Sequence, residues 1–242
     1  DFLHLHYRAS ATILAMGGKS IDTIRQMRAV DADPYSGGRN FVNHYAIRKW
    51  NVVPVFSVIE AQYLQAIGTA HVQREKGCKG ITIVTGGDAG TAEGDFASAL
   101  VWSSRPAGVL PLLMIVTNNK YGISTPWEGQ HGEKHVADRG KAFGIKTNVA
   151  NGNDVWEAWE ALEEAITYVR EERKPFLLEL RVSRLYGHSS ASGAPRWNEE
   201  DCLDVFEEKL VKQKIITKDE IKSIHEKALA KMHGHEVPTV GA

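Results

Sequence analysis

An α/β fold with a central, mostly parallel sheet flanked by helices is what this sequence predicts, on three observations. Short β-rich apolar runs recur through the middle of the chain, and helical patterns stand between them. At 242 residues and 43% hydrophobic content the chain is also long enough to bury a substantial core. The first clear element is "SVIEAQYLQAIGTAHVQREKG" (57–77), read as a largely buried helix stopped by Gly77. "ITIVTG" (81–86), "PLLMIVTN" (111–118), "IKTNVA" (145–150) and "FLLELRV" (176–182) read as strands covered on both faces. "DFASALVWSSR" (95–105) and "VADRGKAFG" (136–144) read as the first two connecting helices. "NDVWEAWEALEEAITYVREE" (153–172) is the third, with apolar residues at 155, 156, 159, 162, 165, 166 and 169 opposite an acidic face. Such alternation predicts right-handed crossovers, with ligands at the carboxyl ends of the strands, where the loops after 86 and 118 would both lie. Two charged amphipathic helices follow within 198–217 and 218–232, and "GHEVPTVGA" has linker character.

Charge and cysteine content narrow the function. Lys and Arg number 29 against 30 Asp and Glu, a net charge of -1, so no global field recruits nucleic acid or an anionic membrane. Cys78 and Cys202 stand far apart, outside any zinc or disulfide spacing, which fits a reducing compartment. No apolar run reaches the roughly 18 residues a membrane span needs, and no secretory signal opens the chain. We therefore expect a protein of a reducing compartment with a small-molecule or protein partner. Because Asp1 comes first, a missing upstream segment is expected.

"VTGGDAGTAEGDF" (84–96) places a glycine-rich turn after a strand and before a helix, a setting that meets phosphate. The glycines at 86, 87, 90 and 94 do not fit GxGxxG, and a P-loop would need a Lys and a hydroxyl residue that are not in place. Asp88 in the turn makes sense when a divalent cation stands between carboxylate and phosphates, since Mg²⁺ takes one or two protein oxygens and fills its shell with phosphate and water. "VTNNKYGIST" (116–125) offers the second ligand: the side-chain oxygen of Asn118 or Asn119, with the carbonyl of Tyr121. Taken singly, the Asp also reads as a helix cap and the two asparagines as an ordinary turn. Together, on successive strand ends, they form the pattern of thiamine-diphosphate enzymes.

With these motifs, "HYRAS" (6–10), "GGRNFVNHY" (37–45), "NVVPVFSVIEAQYLQAIGTA" (51–70), "NGNDVWEAWEALEEA" (151–165) and "FLLELRVSRLYGHSS" (176–190), the chain resembles the alpha subunit of the thiamine-diphosphate-dependent first component of 2-oxo acid dehydrogenase complexes. The branched-chain and pyruvate types are meant, and the resemblance covers about residues 1–197. It implies a thiamine-diphosphate-binding domain over 1–197, lacking an N-terminal stretch, and peripheral helices with a linker over 198–242. It implies that Tyr7, Arg8 and Ser57 serve the cofactor, Arg8 by a guanidinium fork on diphosphate. Arg8 by itself also reads as a surface ion-pair residue, and Ser57 as the cap of a helix beginning at Val58. Asp88, Asn119 and the Tyr121 carbonyl are the implied Mg²⁺ ligands, and Ala89 and Gly90 would turn backbone N–H groups to phosphate.

His188 is the implied catalytic residue, a group titrating near neutrality over the cofactor. His4, His71, His131, His225, His233 and His235 read as core or surface residues without a chemical role, while His44 reads equally as a channel or a packing residue. The resemblance further implies a beta subunit or fused beta domain in an α2β2 heterotetramer, a lipoyl-bearing acyltransferase as acceptor, and oxidative decarboxylation of a 2-oxo acid only when the beta partner is present. An acetoin dehydrogenase-type alpha subunit and a non-catalytic assembly subunit are the alternatives, with a nucleotide-binding Rossmann protein behind them. Four departures stand out. Ala89 replaces a usual glycine, which is compatible with the turn only if φ there is negative. Phe56, Val58 and Ala61 leave Gln62 alone where relatives ligate potassium, so no such ion is expected. Ser183 stands where a tyrosine usually precedes the loop arginine, Arg184. The stretch after His188 lacks the usual acidic residues.

Overall fold

The structure is a computed structural model, and it describes residues 1–189 and 196–234. In chain order the strands are β1 (Phe2–His4), β2 (Thr82–Gly87), β3 (Leu112–Asn118), β4 (Tyr121–Gly122), β5 (Thr125–Pro126), β6 (Lys146–Asn151) and β7 (Phe176–Arg181). The α-helices are α1 (Ser10–Ala15), α2 (Ser20–Met27), α3 (Ala61–Glu75), α4 (Gly94–Ser104), α5 (Asp138–Lys141), α6 (Val155–Glu172), α7 (Cys202–Lys212) and α8 (Lys218–His233). The chain separates into two compact units, Asp1–His6 with Val58–Phe206, and Tyr7–Ser57 with the residues from Glu207 onward.

The first unit is built on a five-stranded sheet in the order β1-β2-β3-β7-β6, every neighbouring pair parallel. The central strand, β3, shows why four apolar runs become buried strands. Side chains alternate faces with a period of two. Leu112, Met114 and Val116 therefore join Tyr63, Ala66 and Ala70 of α3 and Phe96, Ala99 and Leu100 of α4 on one face. Leu113 and Ile115 join Ala161, Ala165 and Val169 of α6 on the other. With both faces covered, no polar alternation is possible, and the strand reads as a continuous apolar run.

Several elements differ from their sequence reading. β1 was not expected; it pairs only three residues with β2 at the sheet edge. α3 begins at Ala61 rather than Val58, because Glu60 before it sits in the left-handed region at φ 59. No side chain caps that helix, so Ser57 is not its cap. Nor is α3 largely buried: Leu64 is 39% and Val72 49% exposed. The helix expected over 136–144 contracts to the four residues of α5, with Gly140 inside the segment and Gly144 ending it at φ 67. On α6 the buried line is Ala161, Ala165 and Val169, while Trp159, counted in the apolar stripe, is 67% exposed.

In the second unit the glycine-rich loop is held from inside. The carboxylate of Asp33, buried, accepts the N–H groups of Tyr35, Ser36 and Gly38 and the Ser36 hydroxyl. Gly38, at φ 72, approaches the carbonyl of Ala29 so closely that a Cβ would stand 2.5 Å from its oxygen. α7 and α8 carry no buried residue, and α8 starts in a capping box between Thr217 and Glu220. No helix among the described residues is long and apolar enough to cross a membrane.

Candidate cofactor site

Because β2 and β3 are parallel neighbours, with Gly87 opposite Thr117, the turn after β2 and the loop after β3 leave the same edge of the sheet. Asp88 stands at the head of the first. Its N–H donates to the Thr117 carbonyl at 3.2 Å, and its own carbonyl accepts the Thr91 hydroxyl at 2.6 Å. The side chain is buried, 3% exposed, yet Oδ2 has no hydrogen-bond partner among the described residues. It makes no capping bond to the 3₁₀ turn Ala89–Ala92, so the helix-cap reading of this aspartate is not realised. Burial pushes the carboxyl upward from its ordinary range, against the lowering influence of nearby backbone N–H groups, those of Ala89 and Asn119 among them, and of His131. Ala89 is not among the residues with positive φ, which meets the condition that its substitution for glycine imposed.

The second loop separates the two asparagines. Asn118 is committed to the interior: its Nδ2 donates to Glu179 Oε1 at 2.7 Å and its Oδ1 accepts the Lys120 N–H at 2.9 Å. Asn119 Oδ1 accepts the Tyr121 N–H at 3.0 Å, which leaves that oxygen a second lone pair. Lys120 at φ 62 and Ile123 at φ 56 flank β4 in the left-handed region, unusual for any side chain and strained for a β-branched one. Arg184 holds this geometry by donating from Nη1 to the Ile123 carbonyl at 2.5 Å, with its guanidinium over the rings of Tyr121 and Trp197.

Two residues of this site escaped the sequence reading. Glu60 is 2% exposed, its Oε1 accepts the Gly87 N–H at 3.4 Å, and its carboxyl lies against Gly86 and Gly90. Burial, followed by the charges of Asp88 and Glu93, pushes its pKa up to about 8, against the Gly87 N–H. His131, given no role by its sequence context, is stacked on Trp127 at 3.9 Å, and Nδ1 faces Glu133 Oε1 at 3.1 Å. Among the described residues, the buried side-chain atoms without a hydrogen-bond partner are Glu60 Oε2, Asp88 Oδ2 and His131 Nε2. The charge of Asp88 helps raise the Glu60 carboxyl, and His131 opposes the rise at Asp88. Unsatisfied buried polar atoms are costly and rare, and two of these three, on Glu60 and Asp88, lie at the turn after β2.

Tyr7, Arg8 and Ser57 belong to the second unit. There His44, buried, joins two of them: its Nε2 meets the Ser57 hydroxyl at 2.5 Å, and its ring stacks on Tyr7 at 6.0 Å. With Nδ1 facing the Val42 carbonyl at 3.1 Å, Nε2 is the acceptor of the neutral ring and Ser57 the donor. Arg8 is exposed, its guanidinium 5.7 Å from the Tyr7 ring. His188 is half-buried on the segment after β7, which leaves the same sheet edge because β7 runs parallel to β3. Residues 190–195 of that segment, His235 and most of the linker-like ending lie outside the described residues.

A family model described as the dehydrogenase E1 component matches residues 1–235. The chain belongs to that family. The chain is similar to the 2-oxoisovalerate dehydrogenase subunit alpha of Bacillus subtilis, 32% identical over 78% of this chain and 57% of the relative. It is also similar to the mitochondrial 2-oxoisovalerate dehydrogenase subunit alpha of Dictyostelium discoideum, 30% identical over 86% of this chain and 47% of the relative, and to that of Caenorhabditis elegans, 28% identical over 86% and 48%. The chain thus spans about half the length of the curated relatives it matches.

Proposed function

We propose that this chain is an alpha-type half-site, which holds the diphosphate of thiamine diphosphate through Mg²⁺ and serves the oxidative decarboxylation of a 2-oxo acid. One observation carries the reading: the Asp88 carboxylate, on a turn beside the Asn119 loop, is buried with an oxygen that nothing among the described residues satisfies. A hard divalent cation takes such an oxygen. No group of three or more His, Cys, Asp or Glu side chains among the described residues is arranged to hold a metal, so the remaining ligands would be Asn119 Oδ1, the Tyr121 carbonyl and diphosphate oxygens. Thiamine diphosphate, when bound, supplies the carbon nucleophile and electron sink that decarboxylation requires.

The protein's own part is to bind and orient. Asp88 and Asn119 would hold the cation, Arg184 holds the Tyr121 loop in its strained form, and Ala89 and Gly90 would serve the phosphates by their backbone N–H groups, as the family resemblance implies. Tyr7, Arg8 and Ser57 are assigned to the cofactor, and His188 to proton movement near the reacting carbon, through the family resemblance. The division at 197/198, with peripheral helices beyond it, belongs to the same proposal. Relatives named as alpha subunits favour a beta partner, subunit or fused domain, in an α2β2 assembly. Their name, 2-oxoisovalerate dehydrogenase, favours a branched-chain 2-oxo acid, the family resemblance a lipoyl-bearing acyltransferase as acceptor, and the relatives' sources a bacterial or mitochondrial setting.

The test is the thermal midpoint with thiamine diphosphate, NAD or ATP, each with Mg²⁺ or chelator, on the chain alone and with its beta partner. A rise with thiamine diphosphate plus Mg²⁺ only, lost in Asp88→Asn, is expected; at a hundredfold excess over Kd it amounts to about 2.7 kcal/mol. Absence of that rise in the complete assembly overturns the proposal. A panel of branched-chain 2-oxo acids, pyruvate and acetoin then reads the substrate, and the chain alone should turn over none of them.

A further inference from the structure

We propose that Glu60 is the positioning residue of the metal-binding turn: its carboxyl is wedged between Gly86 and Gly90 and fixes the backbone that aims Asp88. The inference deepens the half-site reading and rests on it for the role of Asp88. Glu60 is held at the mouth of α3 by its left-handed backbone, and from there the side chain runs under the turn. Its Oε1 accepts the Gly87 N–H at 3.4 Å. A Cβ built on Gly90 would collide with Oε1, Cδ and Cγ of Glu60, and those three are its nearest neighbours. A Cβ on Gly86 would collide with Oε2, and also with Oη and Cε2 of Tyr63 at 2.7 and 2.8 Å.

The two glycines thus have different reasons. Gly90 is bare because the glutamate fills the space beside it, and Gly86 because both the glutamate and a fixed ring do. Tyr63 is fully buried and donates to the Ile115 carbonyl at 3.1 Å, so the ring has nowhere to move. Glu60, 2% exposed, is equally confined. Asp88 lies midway between the two glycines, so whatever fixes Gly86 and Gly90 fixes the direction of its carboxylate.

This geometry predicts a specific pattern of coupling in the full chain, assembled with its beta partner where binding is read. Gly90→Ala alone lowers the thermal midpoint by about 4 °C or more. Adding Glu60→Ala removes the three colliding atoms and restores at least about half of that loss, a non-additive cycle. Gly86→Ala is not relieved by Glu60→Ala, since the Tyr63 ring remains. Glu60→Ala weakens Mg²⁺-dependent thiamine diphosphate binding by about tenfold or more, the usual effect of removing a group that orients a metal ligand, and Glu60→Gln, of the same shape, returns it to within about threefold. Additive effects of Glu60→Ala and Gly90→Ala, or binding by Glu60→Ala equal to wild type, overturn the proposal. Should wild type itself bind no thiamine diphosphate in the assembly, the half-site reading fails, and Glu60's assignment to a metal site fails with it. The Gly90 cycle still decides separately whether the glutamate braces the turn.

Discussion

At the scale of single residues, the site is a set of groups whose needs the protein leaves unmet. A buried carboxylate oxygen without a donor destabilises the native state, so Asp88→Asn should leave the ligand-free protein as stable as wild type or more stable, by up to about 2 kcal/mol. Urea midpoints without ligand check this, and a large loss would mean that Asp88 is a structural group. Asp88 drew attention in the sequence because a carboxylate inside a glycine turn conflicts with a bare phosphate, and the structure buries it with Oδ2 unpartnered among the described residues. The choice between Asn118 and Asn119 was not legible: it depends on Glu179, which takes the Asn118 amide from 61 positions away. Glu60 was hidden for a like reason, since an acid ahead of an apolar helix looks like ordinary N-terminal chemistry until Gly86 and Gly90 are brought onto it.

At the scale of elements, the strands were readable because burial on both faces leaves mainly apolar residues, as in β3 and β7, where Glu179 is the buried exception that takes the Asn118 amide. Helices were less so. An apolar residue counted in the stripe of α6 need not be buried, and Trp159 is the example. Leu177→Ala, in β7 against the α3–α4 face, should cost about 2–5 kcal/mol with an unchanged urea m value, whereas Trp159→Gln should stay within about 0.5 kcal/mol. Equal effects from the two would mean that the exposed face of α6 is not exposed in solution. β1, at three residues, is too short to show any periodicity, and only its pairing with β2 makes it a strand.

For the whole molecule, two buried groups set opposite pH limits. His4, hydrogen-bonded to Thr69, is lowered by burial to about 4. Between that value and the ordinary 6.5 the unfolded chain binds the proton that the native one refuses, so stability falls on acidification, by on the order of 3 kcal/mol in full. Glu60 works in the other direction. Its native carboxyl keeps a proton up to about 8 while the unfolded one releases it near 4.3, so stability falls as pH rises through that interval and levels off above it. Thermal midpoints from pH 4 to 9 should therefore lose the acid limb in His4→Gln and part of the alkaline slope in Glu60→Gln. Unaltered profiles would contradict both assignments.

The order of strands in the sheet also has a consequence in time. β2 and β3 meet across a single helix, but β3 finds its other neighbour only when residue 113 pairs with residue 176, after β6 and α6 have been made. On a growing chain, the edge of β3 that will receive β7 therefore stays open while some sixty further residues emerge, at roughly 5–20 residues per second. During those seconds the central strand offers unpaired backbone and an uncovered apolar face to other nascent chains. The step at which this protein is most easily lost to aggregation is the wait for β7, and slower translation of the stretch between residues 119 and 175 should lower its soluble yield.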